Sequence, residues 1–131
     1  MKALTFLKIA TVLNVLVATG FSLAGILSPF VILPANITAD KAITIYALYA
    51  GARTIPLVTL TIMSLFNKHW NALITLAVLA GLMQFLDGFI GIYEQDPSKS
   101  VGPFIIATIQ FIAIYLAVRN NPGQNGPAIT Q

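Results

Sequence analysis

Two residues in this sequence combine reactive chemistry with a setting in which charge is costly. Arg53 lies in Tyr46-Ala47-Leu48-Tyr49-Ala50-Gly51-Ala52-Arg53-Thr54-Ile55-Pro56, and Asp87 in Gln84-Phe85-Leu86-Asp87-Gly88-Phe89-Ile90-Gly91; each is the only charged residue within a long apolar run. A guanidinium can bind a carbonyl or an anionic group, and a carboxylate can orient that guanidinium or carry a proton. A charge inside an apolar span is a candidate functional site and calls for a partner. The expectation is a polar centre made by Arg53 and Asp87, with Tyr46, Tyr49, Gln84 and Gln110 completing its lining. No catalytic residue and no cofactor can be assigned from these residue types.

The helical faces support a local site rather than a continuous polar path. At about 100° per residue, Tyr46, Tyr49, Arg53 and Ser64 fall in a narrow arc with Thr61 at its edge, while Leu57 and Leu60 interrupt it. Pro56 cannot donate to the carbonyl of Ala52, so an acceptor is freed beside the guanidinium and a kink is expected there. Gly81, Gln84, Asp87, Gly88 and Gly91 share one face, where glycines admit either another helix or a flat ligand.

The elements that must position these groups are membrane-spanning helices. The chain has 131 residues, 57% of them hydrophobic and 8% charged, far outside the range of soluble domains. About 20 apolar residues suffice to cross a bilayer, and four segments do so: roughly 7–27, 42–66, 70–93 and 101–118. Continuous apolar runs without alternation exclude a barrel and leave helices as the way to satisfy the backbone in lipid. The expected fold is an all-α, four-transmembrane-helix bundle formed by residues 1–120, with 121–131 a polar, disordered tail.

Asn14 in the first span suits an interhelical contact, and Gly20-x-x-x-Ala24 suits close packing. Lys2, Lys8 and the run to Ala18-Thr19-Gly20 have the outline of a secretory signal, but the run is long enough to be the first span. Pro29 and Pro34 end that helix, Thr38 to Asp40 offer cap oxygens, and Asn36-Ile37-Thr38 matches a frequent glycosylation pattern discounted beside a membrane. Lys68 and Trp70 suit headgroup anchoring. The loop Glu94 to Ser100 precedes a fourth helix opened by Gly102-Pro103.

Lys2, Lys8, Lys68 and Arg119 collect on one side, against Lys41 and Lys99 on the other, which predicts both termini in the cytoplasm of a multi-pass cell-membrane protein. The net charge of +3 is scattered, with no basic stripe, so nucleic-acid binding is not expected. There is no cysteine and a single histidine, His69, so no metal site is expected. No nucleophile with an adjacent base and no phosphate-binding glycine loop points to a hydrolase or a nucleotide-dependent enzyme. Transport ranks low, because the first span has no acidic residue and the halves show no internal repeat.

The Gly51-x-Arg53 step, Asp87 and the Gly102-Pro103 start of the fourth span, set in four short helices, resemble the DoxX-like small four-helix membrane proteins. The resemblance covers roughly 46–116 and lies with a branch that carries arginine in helix two and aspartate in helix three. That branch has a histidine in helix four near the position where this chain has Gln110. Better-known members are linked to sulfur-compound oxidation coupled to membrane quinone, so the resemblance implies a quinone or lipid-like ligand. The residues themselves leave two readings open: a bundle that binds a small, largely apolar molecule, or a structural subunit whose polar face pairs with itself or with a membrane partner.

Overall fold

The computed structural model describes residues 2–28 and 41–120, which form four helices: α1 (Lys2–Leu27), α2 (Lys41–Phe66), α3 (Trp70–Tyr93) and α4 (Pro97–Asn120). The proline-rich 29–40 connection, with its cap and glycosylation motifs, and the 121–131 tail lie outside the described residues. All four helices are long and apolar enough to cross a membrane. Each has 24 or 26 residues, or about 36–39 Å at 1.5 Å per residue, against a hydrocarbon core of about 30 Å.

The large apolar side chains lie mostly on the outside of the bundle and small ones inside. Large apolar residues such as Ile9, Leu16, Ile55, Leu86 and Ile105 are turned outward. The buried apolar residues are mostly alanines, joined by Leu7, Val15, Leu57 and Leu73, and the buried polar ones are Thr11, Asn14, Thr54, Thr61, Ser64, Gln84, Ser100 and Gln110. Lipid tails compete for leucine as well as another helix does, so helices associate through small residues that allow close approach and through hydrogen bonds.

The helices follow one another around the bundle, α1 between α2 and α4, with α1 and α3 also touching across the diagonal. The α3–α4 contact is the most extensive, and among sequential neighbours α2–α3 is the loosest. Glycines explain the first. A Cβ on Gly81 would lie 3.1 Å from the Phe111 ring, one on Gly88 2.8 Å from the Phe104 ring, and one on Gly91 would overlap the Lys99 carbonyl and the Ser100 amide nitrogen. Phe104 thereby reaches Phe85 and Phe89, and the three rings meet edge to face at 5.1–5.6 Å. The glycine face of α3 is therefore filled by a helix.

At the end of the bundle that holds Lys2 and Asn120, Leu7, Ala10, Ala77, Ala113 and Ala117 form the core. Trp70 packs its ring onto this cluster, with Nε1 buried and unpartnered among the described residues, instead of reaching outward as a headgroup anchor. Gly20, by contrast, faces open space, so Gly20-x-x-x-Ala24 is not a packing step; Gly51 on α2 is, resting on Ile26 and Ser22 of α1.

The fourth helix starts earlier than its apolar run. Asp96 Oδ1 accepts from the Ser98 amide (3.0 Å), the Ser98 hydroxyl (2.6 Å) and the Lys99 amide (3.4 Å), and Pro97 takes the first helical position. Pro103 thus lies inside α4. At the preceding turn, Gln95 has a left-handed φ of 56°, its amide donates to the Ile92 carbonyl, and that of Asp96 to Gly91, closing α3.

The Asp96 cap carries a pH dependence. The Ser98 hydroxyl above all, with the Ser98 and Lys99 amides and the Lys99 ammonium, holds its carboxyl below the ordinary 3.8 against an opposing desolvation. Because the folded value lies below the unfolded one, the contribution is complete above the ordinary value and is lost as pH falls through the lowered one. Melting temperature in detergent is expected to decline below about pH 4 through this group. Asp96→Asn, which keeps a capping oxygen, should flatten that part of the profile.

Candidate functional site

The candidate site is a crevice at mid-depth where α1, α2 and α3 converge. Its lining is Asn14, Val15 and Ala18 from α1, Leu57 and Val58 from α2, and Ala80, Met83, Gln84 and Asp87 from α3. The enclosed space is about 10 Å³, enough for one water-sized group. It exists because α2 and α3 pack loosely, while Gly81, Gly88 and Gly91 draw α3 toward α4.

The site residues divide by helix face. Gln84 is 4% exposed, and its amide has no hydrogen-bond partner among the described residues. Asp87, three residues on, stands at the edge of the crevice and is exposed. Arg53 precedes Leu57 by one helical turn on the same side of α2, and it too is exposed. The short 67–69 turn levels the two helix ends. By helical rise Arg53 lies about 20 Å and Gln84 about 21 Å from that end, with Asp87 at about 26 Å.

Arg53 and Asp87 thus belong to the same side of the bundle but form no ion pair with each other. Among the described residues the ion pairs are those of Lys99, with Glu94 at 2.6 Å and Asp96 at 4.0 Å, in the turn before α4. Tyr46 and Tyr49 are on the outer surface of α2, 74% and 62% exposed, and do not line the crevice.

Gln110 is placed elsewhere again. It is fully buried between α4 and α1, where Nε2 donates to Thr11 Oγ1 at 3.0 Å and Oε1 accepts from Asn14 Nδ2 at 3.4 Å. Asn14 therefore makes the interhelical contact expected of it and also lines the crevice. Thr11 is the member that sequence reasoning passed over. Its spacing to Asn14, three residues on one helix face, is the signal that would have found it.

A second, apolar slot of about 130 Å³ runs between α1 and α2, lined by Thr19, Ser22, Leu23, Ile26, Thr54, Ile55, Val58 and Thr59. Its threonine hydroxyls bond to carbonyls of their own helices, Thr19 to Val15 (2.7 Å), Thr54 to Ala50 (3.1 Å) and Thr59 to Ile55 (2.8 Å). With those hydrogens committed, the slot presents mainly hydrocarbon. Val58 borders both spaces.

Among the described residues no group of three His, Cys, Asp or Glu side chains comes together. Fold and site together define, among the described residues, a small all-helical bundle with four candidate membrane spans and a narrow, mainly apolar crevice at mid-depth that Asn14, Gln84 and Asp87 border. Comparison with protein-family models, with curated proteins and with solved structures returns no match.

Proposed function

We propose that this protein is a multi-pass protein of the cell membrane that binds a small, largely apolar molecule at the α2–α3 side of its bundle. One observation carries the reading: Arg53 and Asp87 both stand exposed at mid-depth, Asp87 on the edge of a crevice with an amide at its floor and Arg53 one helical turn from Leu57 in its wall, without forming an ion pair with each other. On the insertion scale each such charge costs about 2.5–3.5 kcal/mol at a helix centre. A stable structural pair would be closed. An open pair of charges suits a molecule whose carbonyl or anionic group meets Arg53, with Asp87 orienting the guanidinium or exchanging a proton with the ligand.

Gln84 contributes the floor of this site, whereas Tyr46 and Tyr49 stay on the outer face of α2 and line neither space. Gln110 acts in the wall behind it, through Asn14. The α1–α2 slot offers a surface for the hydrocarbon part of the molecule. A quinone or another lipid-like compound fits this division, and it is the ligand class that the resemblance to DoxX-like proteins implies. With Lys2, Lys8, Lys68 and Arg119 at one end of the bundle, the orientation that follows the positive-inside rule puts both termini in the cytoplasm.

The outward tyrosines favour a second reading, in which α2 pairs with a partner helix and the protein is a structural subunit of a membrane assembly. Mass spectrometry of small molecules extracted from the detergent-purified protein separates the two. The expected result is a specific compound retained by the wild type and lost from folded Arg53→Ala and Asp87→Asn. An empty wild type, with variants that lose assembly instead of cargo, would establish the subunit reading.

A further inference from the structure

Beyond Lys41 at its start, α2 carries one charge, Arg53, and α3 carries one, Asp87. Both are exposed on the α2–α3 side of the bundle, and neither has a hydrogen bond or an ion pair among the described residues. The surface around them is apolar: Tyr49 and Leu60 on α2 and Leu86 and Ile90 on α3 are each more than half exposed. Two opposite charges left open on such a face call for a partner that brings the opposite charge to the same depth. A second copy of this chain is such a partner.

We infer that the α2–α3 face is the interface of a homodimer in which Arg53 of each copy pairs with Asp87 of the other. Two copies inserted with the same orientation are related by a two-fold axis along the membrane normal, so every residue keeps its depth. Half a turn about an axis in front of a two-helix face sets α2 against α3 of the second copy, and α3 against its α2. The interface then holds two identical charge pairs, and its four charges sum to zero. By helical rise Arg53 lies about 20 Å and Asp87 about 26 Å from the end that holds the 67–69 turn, an offset that a flexible arginine stem spans. Tyr49 lies at the depth of Asp87, about 26 Å, so its outward hydroxyl is placed to donate to the same carboxylate. A different protein would have to supply an acid and a base at these two depths, whereas a second copy brings both. A carboxylate occupies two of the five guanidinium donors and leaves others for a ligand carbonyl. The dimer therefore goes beyond the ligand reading and does not depend on it.

The test is the mass of the full chain in detergent, measured by sedimentation over a range of concentrations with the detergent contribution subtracted. The wild type is expected as a dimer. Arg53→Ala and Asp87→Asn should each dimerise at least about tenfold more weakly, because each strands two like charges in the interface. Mixed in equal amounts under different tags, the two variants should copurify as a heterodimer more strongly than either does with itself. In that heterodimer Arg53 of the Asp87→Asn chain still meets Asp87 of the Arg53→Ala chain. Pairing within one chain predicts no such rescue, and the rescue shows at once that both variants are folded. A monomeric wild type, variants that dimerise as the wild type does, or a mixture no better associated than its components would each overturn the dimer. Retention of an organic compound is read separately on the same samples. A dimer that carries none supports this interface and rejects the ligand reading, and a monomer that carries one does the reverse.

Discussion

Gly91→Leu is expected to break the α3–α4 contact and lower stability by about 3 kcal/mol or more, at the upper end of what overpacking costs. The obstacle is backbone: even a Cβ at this position would overlap the carbonyl of Lys99 and the amide nitrogen of Ser100. Neither can rotate away as a side-chain tip could. Pro103 cannot donate to that same Lys99 carbonyl, so the first turns of α4 are shaped around the gap that Gly91 leaves. The change would also remove the approach that sets Phe104 on Gly88 and would spread to the Phe85–Phe89–Phe104 cluster. Gly20→Ala is the control. With open space around it, the added methyl should stabilise α1 by up to about 1 kcal/mol through helix propensity. Thermal or denaturant unfolding in one detergent, read on both variants, checks the pair, and a Gly91 variant as stable as the control would sink the account of the α3–α4 packing.

Gln110→Leu is expected to cost about 1–3 kcal/mol, although leucine is apolar and of similar size. Gln110 is fully enclosed, and removing its amide leaves Asn14 Nδ2 without an acceptor and Thr11 Oγ1 without its donor. Measured hydrogen bonds between membrane helices are often weaker than this, averaging about 0.6 kcal/mol. The larger figure applies here because the partners stay behind in a closed space. The combined change Thr11→Val, Asn14→Leu, Gln110→Leu should recover much of the loss, since replacing all the partners leaves nothing unsatisfied. A triple variant as unstable as the sum of three independent losses would show that the network contributes by shape and not by hydrogen bonding.

The two predictions concern opposite faces of the same problem. Small residues bring α3 onto α4 and, at Gly51, α2 onto α1, and a polar cluster ties α4 to α1, so three of the four sides of the bundle are held by specific contacts. The α2–α3 contact has neither device. That is where the charged residues stand, and the looseness that opens the crevice follows from the absence of glycine steps and of polar ties between those two helices among the described residues.

The sequence by itself determined the four helices seen among the described residues and their order, but not the starts of the first and fourth, which begin at Lys2 and Pro97, ahead of their apolar runs. Apolar runs of spanning length admit few other structures, and the polar breaks at 67–69 and 94–96 leave room only for tight turns. It also marked the residues that matter, because a charge or an amide is conspicuous against alanine and leucine. It could not determine how far each helix is rotated about its own axis. In a soluble bundle the apolar stripe gives that away, but here both faces of a helix are apolar and the stripe carries little information.

Rotation was decided by pairwise fits that appear only when the helices are together. Gly91 had to meet the Lys99 carbonyl, which turned α3 and carried Asp87 away from α4 toward the crevice. Gln110 had to meet Thr11 and Asn14, which took it out of the group that contains Asp87. Arg53 and Tyr49 share an arc with each other on α2, but the contacts of Gly51 with α1 turned that arc outward. The polar residues of one sequence reading were therefore split by packing into a closed network, an open crevice and the exposed face of α2.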